Sequence, residues 1–371
     1  MKTIKLLLIF SLAAIVLTGF GQTYEIYVSD AGNYNNPPWQ VAKFDGTGDN
    51  PESFNEDDVI WPQDIVILEE QEVVLVSSLT ANGYISKHDI ATGNFAGYFA
   101  EDINGPTRMK IGADNLLYVL QWYNGNNFVL RYQLDGTFVD EFTSMGIPQS
   151  IGIDWDSEGN LYISSYSQDF VQKFDTDGNF VETFIDSDLV GPTNIWFDDS
   201  GDLMVIDYNA GSVKRFSPDG DFMNVFIPDL SYPEGIDFFP NGNMLIGNGG
   251  TSSVKLFDPD GNFIEDFIPS GSGGLITPNA VVIREVTPVS VAENELNENF
   301  IYPSVGKTFY LKHDFSDEIE SIRILNMAGS EVTANELLDA GSWNASDIKP
   351  GLYFIIAEIN GSKLVQKVIV K

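Results

Sequence analysis

The sequence predicts an all-β chain: a six-bladed β-propeller closed by the N- and C-terminal strands of its domain, followed by a small β-sandwich. Three observations lead there. A proline-centred pattern recurs at Pro62, Pro106, Pro148, Pro192, Pro233 and Pro278, each with apolar residues at the third and fifth positions after it, from Ile65/Ile67 to Val281/Ile283. The prolines lie 44, 42, 44, 41 and 45 residues apart, a period that suits four short strands per blade stacked around an axis. Within each repeat the apolar spacing is two, which belongs to strands and not to the paired helices of a solenoid.

Each element of the repeat has its own signature. Proline suits the first residue of a strand, where its missing N–H breaks no ladder bond. Second strands follow as VVLVSS from Val73, LLYVLQ from Leu116, LYISSY from Leu161, LMVIDY from Leu203 and MLIGNG from Met244, most of them after turn signals such as Glu158-Gly159-Asn160. Third and fourth strands flank a tight turn, as in VQKFDTDGNFVETF from Val171. There the glycine of Asp-Gly takes a positive φ without steric cost. Phe recurs at the second and sixth positions after that glycine (Phe95/Phe99, Phe138/Phe142, Phe180/Phe184, Phe222/Phe226, Phe263/Phe267), and both are expected to pack between blades. Pro278 is followed only by the single strand NAVVIREV. The three missing strands are supplied by YEIYVS from Tyr24, WQVAKF from Trp39 and a weak stretch up to about Asp58. The two ends therefore complete one sixth blade and leave no open flank.

The predicted organisation is a signal peptide over 1–21, the propeller over 22–286, a polar linker over 287–299 and a β-sandwich over 300–371. Lys2 and Lys5 precede an apolar stretch from Leu6 to Leu17 and the small residues Gly19 and Gly21, the layout of a cleaved leader. No membrane span is expected after processing. The chain has no cysteine, so stability rests on packing. With 54 acidic and 19 basic residues its formal charge is −35, which disfavours nucleic acid and anionic membrane surfaces as partners.

Residues 24–286 resemble the NHL-repeat propellers, related in layout to the TolB-like and gluconolactonase propellers, through the proline with alternating aliphatics, Gly-Asn-Leu-Tyr-Ile at Gly159 and V-x-x-F-D-x-D-G-x-F at Val171. The last 70 or so residues resemble the C-terminal sorting domain of the type IX secretion system of Bacteroidota. The motifs are Tyr302-Pro303, Ile322 to Gly329, Pro350-Gly351-Leu352-Tyr353 and the basic end from Lys363 to Lys371. Ser304-Val305 stands where that family usually has Asn-Pro. The resemblance implies the type IX secretion machinery as a partner and a secreted or cell-surface location.

Residues just after each proline should ring one channel mouth: Gln63, Asp64, Thr107, Arg108, Gln149, Ser150, Thr193, Asn194, Glu234 and Asn279. Trp61, Trp122, Tyr123, Tyr166, Tyr208 and Tyr232 fall in loops of the same face, where aromatic rings beside acids and amides would suit sugars. The resemblance to gluconolactonase propellers implies calcium as the candidate cofactor, with Asp64, Asn194, Glu234 and Asn279 as its oxygen ligands. The glycine that family places after the ligand is absent at Ile195 and replaced by Ala280. The only histidines are His88, in a third strand, and His313, in the C-terminal unit. No Ser-His-Asp or cysteine machinery is visible. Two functions follow: a non-catalytic binding module for an extracellular protein, peptide or glycan, or a calcium-dependent lactonase. A third, a structural spacer, would need a broad apolar patch on the outer strands, and none is evident in the sequence.

Overall fold

The computed structural model describes residues 23–34, 36–123, 125–286, 300–312, 319, 321–326, 331–332, 341–359 and 362–371. The expected leader (1–21), the linker (287–299), Gly329 and His313 lie outside the described residues. The chain divides into two compact units, Met1–Val286 and Thr287–Lys371.

The strands of the first unit follow the repeat. They are β1 (Thr23–Asp30), β2 (Gln40–Asp45) and β3 (Glu52–Asn55); β4 (Pro62–Leu68), β5 (Val73–Ser78), β6 (Gly83–Asp89) and β7 (Phe95–Ile103); β8 (Pro106–Ile111), β9 (Leu117–Gln121), β10 (Leu130–Tyr132) and β11 (Phe138–Glu141). Next come β12 (Ser150–Trp155), β13 (Leu161–Ser165), β14 (Phe170–Phe174) and β15 (Phe180–Ile185); β16 (Pro192–Phe197), β17 (Leu203–Asp207), β18 (Ser212–Phe216) and β19 (Phe222–Ile227). The last are β20 (Pro233–Phe238), β21 (Met244–Asn248), β22 (Ser253–Phe257) and β23 (Phe263–Ile268), then β24 (Pro278–Val286). Each group of four forms one antiparallel sheet, and β24 joins the first three in the order β24-β1-β2-β3. Val281 pairs with Val28 and Val282 with Tyr27 across that junction. The unit is all-β and propeller-like.

Apolar packing runs from each sheet to the next. Leu75, Ile85 and Phe99 pack with Met109, Leu117 and Tyr132 between the β4–β7 and β8–β11 sheets. Tyr162 and Val171 pack with Val205 and Phe216, and Ile246 and Phe257 with Ile206 and Ile227. The sheet that contains β24 is held on both flanks: Val28 and Phe44 meet Leu245 and Ile268, while Tyr27 and Phe54 meet Ile65 and Val76. Each fully buried aliphatic or aromatic side chain contributes roughly 1.5–3 kcal/mol.

The turn glycines do more than turn. Gly178 has φ +80°, and a Cβ built there would lie 2.1 Å from the backbone oxygen of Phe142 in the preceding sheet. Gly93 against Phe54, Gly136 against Phe99, Gly220 against Phe184 and Gly48 against Phe267 repeat that approach. The last pair joins the β20–β23 sheet to the one that contains β24. Only the sixth-position Phe of each pair makes this inter-sheet contact. The second-position residues were expected to do the same, but Phe138, Phe180, Phe222 and Phe263 stay 53, 40, 42 and 54 % exposed. They sit edge-on over a ring of their own third strand, as Phe180 does on Phe174, because the fourth strand has no further strand beside it to cover that face. With Val139, Val181, Met223, Val225 and Ile264 also exposed, the outer strands carry more apolar surface than the sequence suggested.

The second unit has a three-stranded and a five-stranded sheet. The first contains β25 (Ile301–Tyr302), β27 (Thr308–Leu311) and β30 (Ser342–Asn344). The second runs in the order β26 (Val305–Gly306), β32 (Ser362–Val370), β31 (Gly351–Ile359), β28 (Ser321–Asn326) and β29 (Glu331–Val332). Phe309 stacks on Trp343 at 5.3 Å in a core with Ile324, Ile355 and Val368. Val305, at the point where the first motif departs from its family, pairs in parallel with Ile369.

Gly178→Ala should lower the free energy of unfolding by about 1–3 kcal/mol, because the turn requires a positive φ and the added carbon meets backbone. Chemical denaturation checks this; an unchanged midpoint would mean that the glycine serves only the turn sequence.

Candidate functional site

The proline that opens a first strand is followed by a break in pairing register. The shift falls between Pro62 and Asp64, Pro106 and Met109, Pro192 and Ile195, and Pro233 and Ile236. Such bulges re-aim the side chains within them, and here those side chains are the polar residues that the sequence brings forward. In the third repeat Gln149, with φ 47°, follows Pro148 and the strand begins at Ser150, so that proline precedes its strand instead of opening it.

Arg108 lies at the convergence of these segments, with its side chain 3 % exposed. Its Nε donates to Asn194 Oδ1 at 3.0 Å. One terminal nitrogen donates to the backbone oxygen of Gln63 and lies 3.8 Å from Asp64. The other donates to Glu234 Oε1 at 2.8 Å and to the backbone oxygen of Asn279 at 2.7 Å. One guanidinium thus touches four sheets besides its own. Asp64 also accepts from the Met109 N–H at 2.7 Å.

Burial pushes Glu234 up to about 7, with Arg108 opposing the rise and Asp64 adding to it. Burial likewise raises Asp64, against the pull of Arg108, and takes Asp237 up to about 6. The buried cluster therefore holds one fixed cation and carboxyl groups that resist ionisation.

The predicted ring of polar residues is divided by this arrangement. Gln63, Thr193 and Glu234 line a cavity of about 470 Å³. Asp64, Arg108 and Asn194 line a second one of about 260 Å³, together with Lys110 and Asp237. Thr107 is buried and donates to the Ser150 backbone oxygen at 2.7 Å, which ties two sheets together. Asn279 is buried and accepts from Ser29 at 3.0 Å. Gln149 contributes its backbone oxygen to Tyr166. The four residues put forward for calcium do not fit that ion. Arg108 is already seated among them, the oxygens of Asn194 and Glu234 accept its hydrogen bonds, and a second adjacent cation would be repelled.

The walls of the larger cavity are aromatic, and their origin is regular. The residue after each second strand donates its N–H to the oxygen of the residue beside the repeat proline. The pairs are Leu79 to Trp61, Trp122 to Gly105, Tyr166 to Gln149, Tyr208 to Gly191, Gly249 to Tyr232 and Ala31 to Thr277, at 2.8–3.2 Å. Where the proline-side residue is Trp61 or Tyr232, the partner is Leu79 or Gly249. Where the proline-side residue is Gly105 or Gly191, the partner is Trp122 or Tyr208. In the sheet that contains β24 both positions are small, and Tyr34, four residues beyond β1, enters instead. Each sheet thus places one aromatic ring at the cavity: Tyr34, Trp61, Trp122, Tyr166, Tyr208 and Tyr232.

These rings touch in series. Trp122 and Tyr166 are 5.5 Å apart, Tyr166 and Tyr208 5.9 Å, Tyr208 and Tyr232 5.1 Å, and Tyr34 and Trp61 6.0 Å between centroids. The Tyr34 and Tyr208 hydroxyls lie 2.9 Å apart. Burial and the nearby Glu234 raise the Tyr208 phenol, so it remains protonated. The structure brings five of the six sequence-predicted aromatics to the cavity. Tyr123 instead lies beside Gly105. Tyr34, Leu79, Ile151 and Asn209 were missed; Tyr34 sits in the one sheet without its own proline-led repeat, so period alone could not align it. His88 is buried in β6, lies 2.8 Å from the Ser86 hydroxyl and is lowered by burial.

Arg108→Met should cost about 3–5 kcal/mol of stability, since it leaves buried carboxyl groups without their cation. Thermal and urea unfolding check this. The raised pKa of Glu234 fixes the sign of a pH effect: its contribution is complete below about pH 4.5 and is lost as pH rises through about 7. Unfolding free energy measured from pH 5 to 8 should fall, and Glu234→Gln should flatten that fall; an unaltered slope would show that Glu234 is not its source.

Residues 301–371 match the family model described as the secretion system C-terminal sorting domain. No curated protein matches the chain. Among solved structures, a chain of a nidogen/laminin complex is similar with a TM-score of 0.57 and 16% identity, over 70% of this chain and 98% of that one. A protein of unknown function from Bacteroides caccae is similar with a TM-score of 0.55 and 12% identity, over the same shares. At such identities the likeness concerns the fold alone, and it agrees with a propeller-like first unit. The C-terminal unit is a sorting domain of the type IX kind, which directs export to the cell surface or beyond. Among the described residues no helix is long and apolar enough to cross a membrane.

Proposed function

We propose that residues 22–286 form a closed six-bladed ring of the NHL type, exported as a non-catalytic binding module that presents its aromatic-lined cavity to an extracellular protein, peptide or glycan. The leader would be 1–21, and 287–299 would link the ring to the sorting unit. The observation that carries this reading is the collar. Each of the six sheets supplies one ring to the same cavity, and it does so from different positions within the repeat. Packing needs alone do not call for that, since the inter-sheet cores are built from other residues. Concave, mainly apolar sites with few polar groups are where ligands bind. The arginine cluster beneath joins five sheets through one guanidinium and gives the cavity its floor.

Trp122→Ala and Tyr208→Ala should each weaken binding of any glycan or peptide captured from a defined array by tenfold or more, as loss of a central aromatic anchor does. Undiminished capture, or chelator-sensitive turnover in a lactone panel, would overturn this assignment. Removing residues 301–371 should abolish surface delivery, as read by cell fractionation, and leave the first unit folded.

A further inference from the structure

The charge and polarity around the cavity specify its occupant more narrowly than "extracellular ligand". Among the described lining residues there is no Lys, Arg or His, and the one ionisable acid is Glu234. Arg108 beneath is paired with Glu234 at 2.8 Å, so the floor is a closed ion pair and the fixed attraction in the cavity comes from its rings. Thr193 donates to the Ile206 backbone oxygen at 3.3 Å, and Asn209 accepts from Tyr166 at 3.4 Å. Those two groups are thus partly committed within the wall. The cavity thus offers six electron-rich rings within the field of a chain with formal charge −35. Such walls attract organic cations, through the ring quadrupoles and through the acidic surroundings of the chain.

We propose that the aromatic collar binds an ammonium group, as the headgroup of a small quaternary amine or as the side chain of a lysine in an extracellular peptide. This rests on the binding reading above and names the chemistry of the part that enters. The cavity of about 470 Å³ admits such a group with its alkyl arm and not a folded domain, so any larger ligand would insert only its tip.

Calorimetric titration of the full chain tests the charge directly, with two matched pairs of probes: choline against 3,3-dimethylbutan-1-ol, and Nα-acetyl-lysine amide against Nα-acetyl-norleucine amide. At least one charged member should bind tenfold or more tightly than its neutral partner, and added salt should narrow that gap. Trp122→Leu should reduce the preference without touching the buried cluster. Equal or weaker binding of both charged probes overturns the inference, even if that variant fails to fold, because wild-type protein alone reports it. A neutral glycan that binds in a Trp122-dependent way while both cations fail would sink the ammonium assignment and leave the binding module standing. Silence of every probe, together with a glycan and peptide array indifferent to Trp122→Ala, would remove both.

Discussion

The structure of the first unit depends on one buried cation. Arg108 reaches from β8 to backbone or side-chain oxygens of the sheets that begin at β4, β16, β20 and β24. Four separate segments are thereby held at hydrogen-bond distance from one planar group, whose fork of donors matches several acceptors at once. A buried ion of this kind is costly to desolvate, and its attraction to partners offsets that cost only when the geometry is complete. Completion requires the five sheets it joins to be in place. The central cluster thus couples the first strands of those sheets to one another, while the apolar cores act only between neighbours.

The same cluster bears on the site above it. Glu234 and Gln63 touch the guanidinium side and also line the larger cavity, so the floor cannot shift without disturbing Arg108. The collar is seated by another repeated device, the hydrogen bond from the residue after each second strand to the residue beside the proline. Two backbones this close leave room for one large side chain per sheet. That steric exchange explains why Trp61 faces Leu79 while Gly105 faces Trp122. Rigid elements below and short loops above favour a preorganised pocket, which reduces the ordering cost of binding.

Much of this was legible in the sequence. Proline spacing and the alternation after each proline implied the four-stranded modules, and Pro278 without a following module pointed to pairing between β24 and β1. Trp61, Trp122, Tyr166, Tyr208 and Tyr232 were found because they flank regular strands. Other features were hidden for definite reasons. Asp64, Asn194, Glu234 and Asn279 look like oxygen ligands in one dimension, yet what they surround is an arginine from a different repeat. The second-position phenylalanines looked identical in type to the sixth, although strand pleat and the absence of an outer neighbour leave them half in water. Ser304-Val305 reads as a lapse from a motif, whereas Val305 supplies parallel pairing to Ile369.

The sequence by itself determined the repeated local choices: where strands start, where Asp-Gly turns reverse the chain, which faces are apolar and which C-terminal unit follows. These depend on interactions between residues close in the chain, and they recur because the pattern recurs. Only the tertiary structure decided how Arg108 divides the polar residues between two cavities, and how Tyr34 joins five other rings. Those outcomes depend on groups far apart in the chain, 171 residues for Arg108 and Asn279 and 174 for Tyr34 and Tyr208. Their distances are set by the curvature of stacked sheets, to which no single repeat carries a local signal.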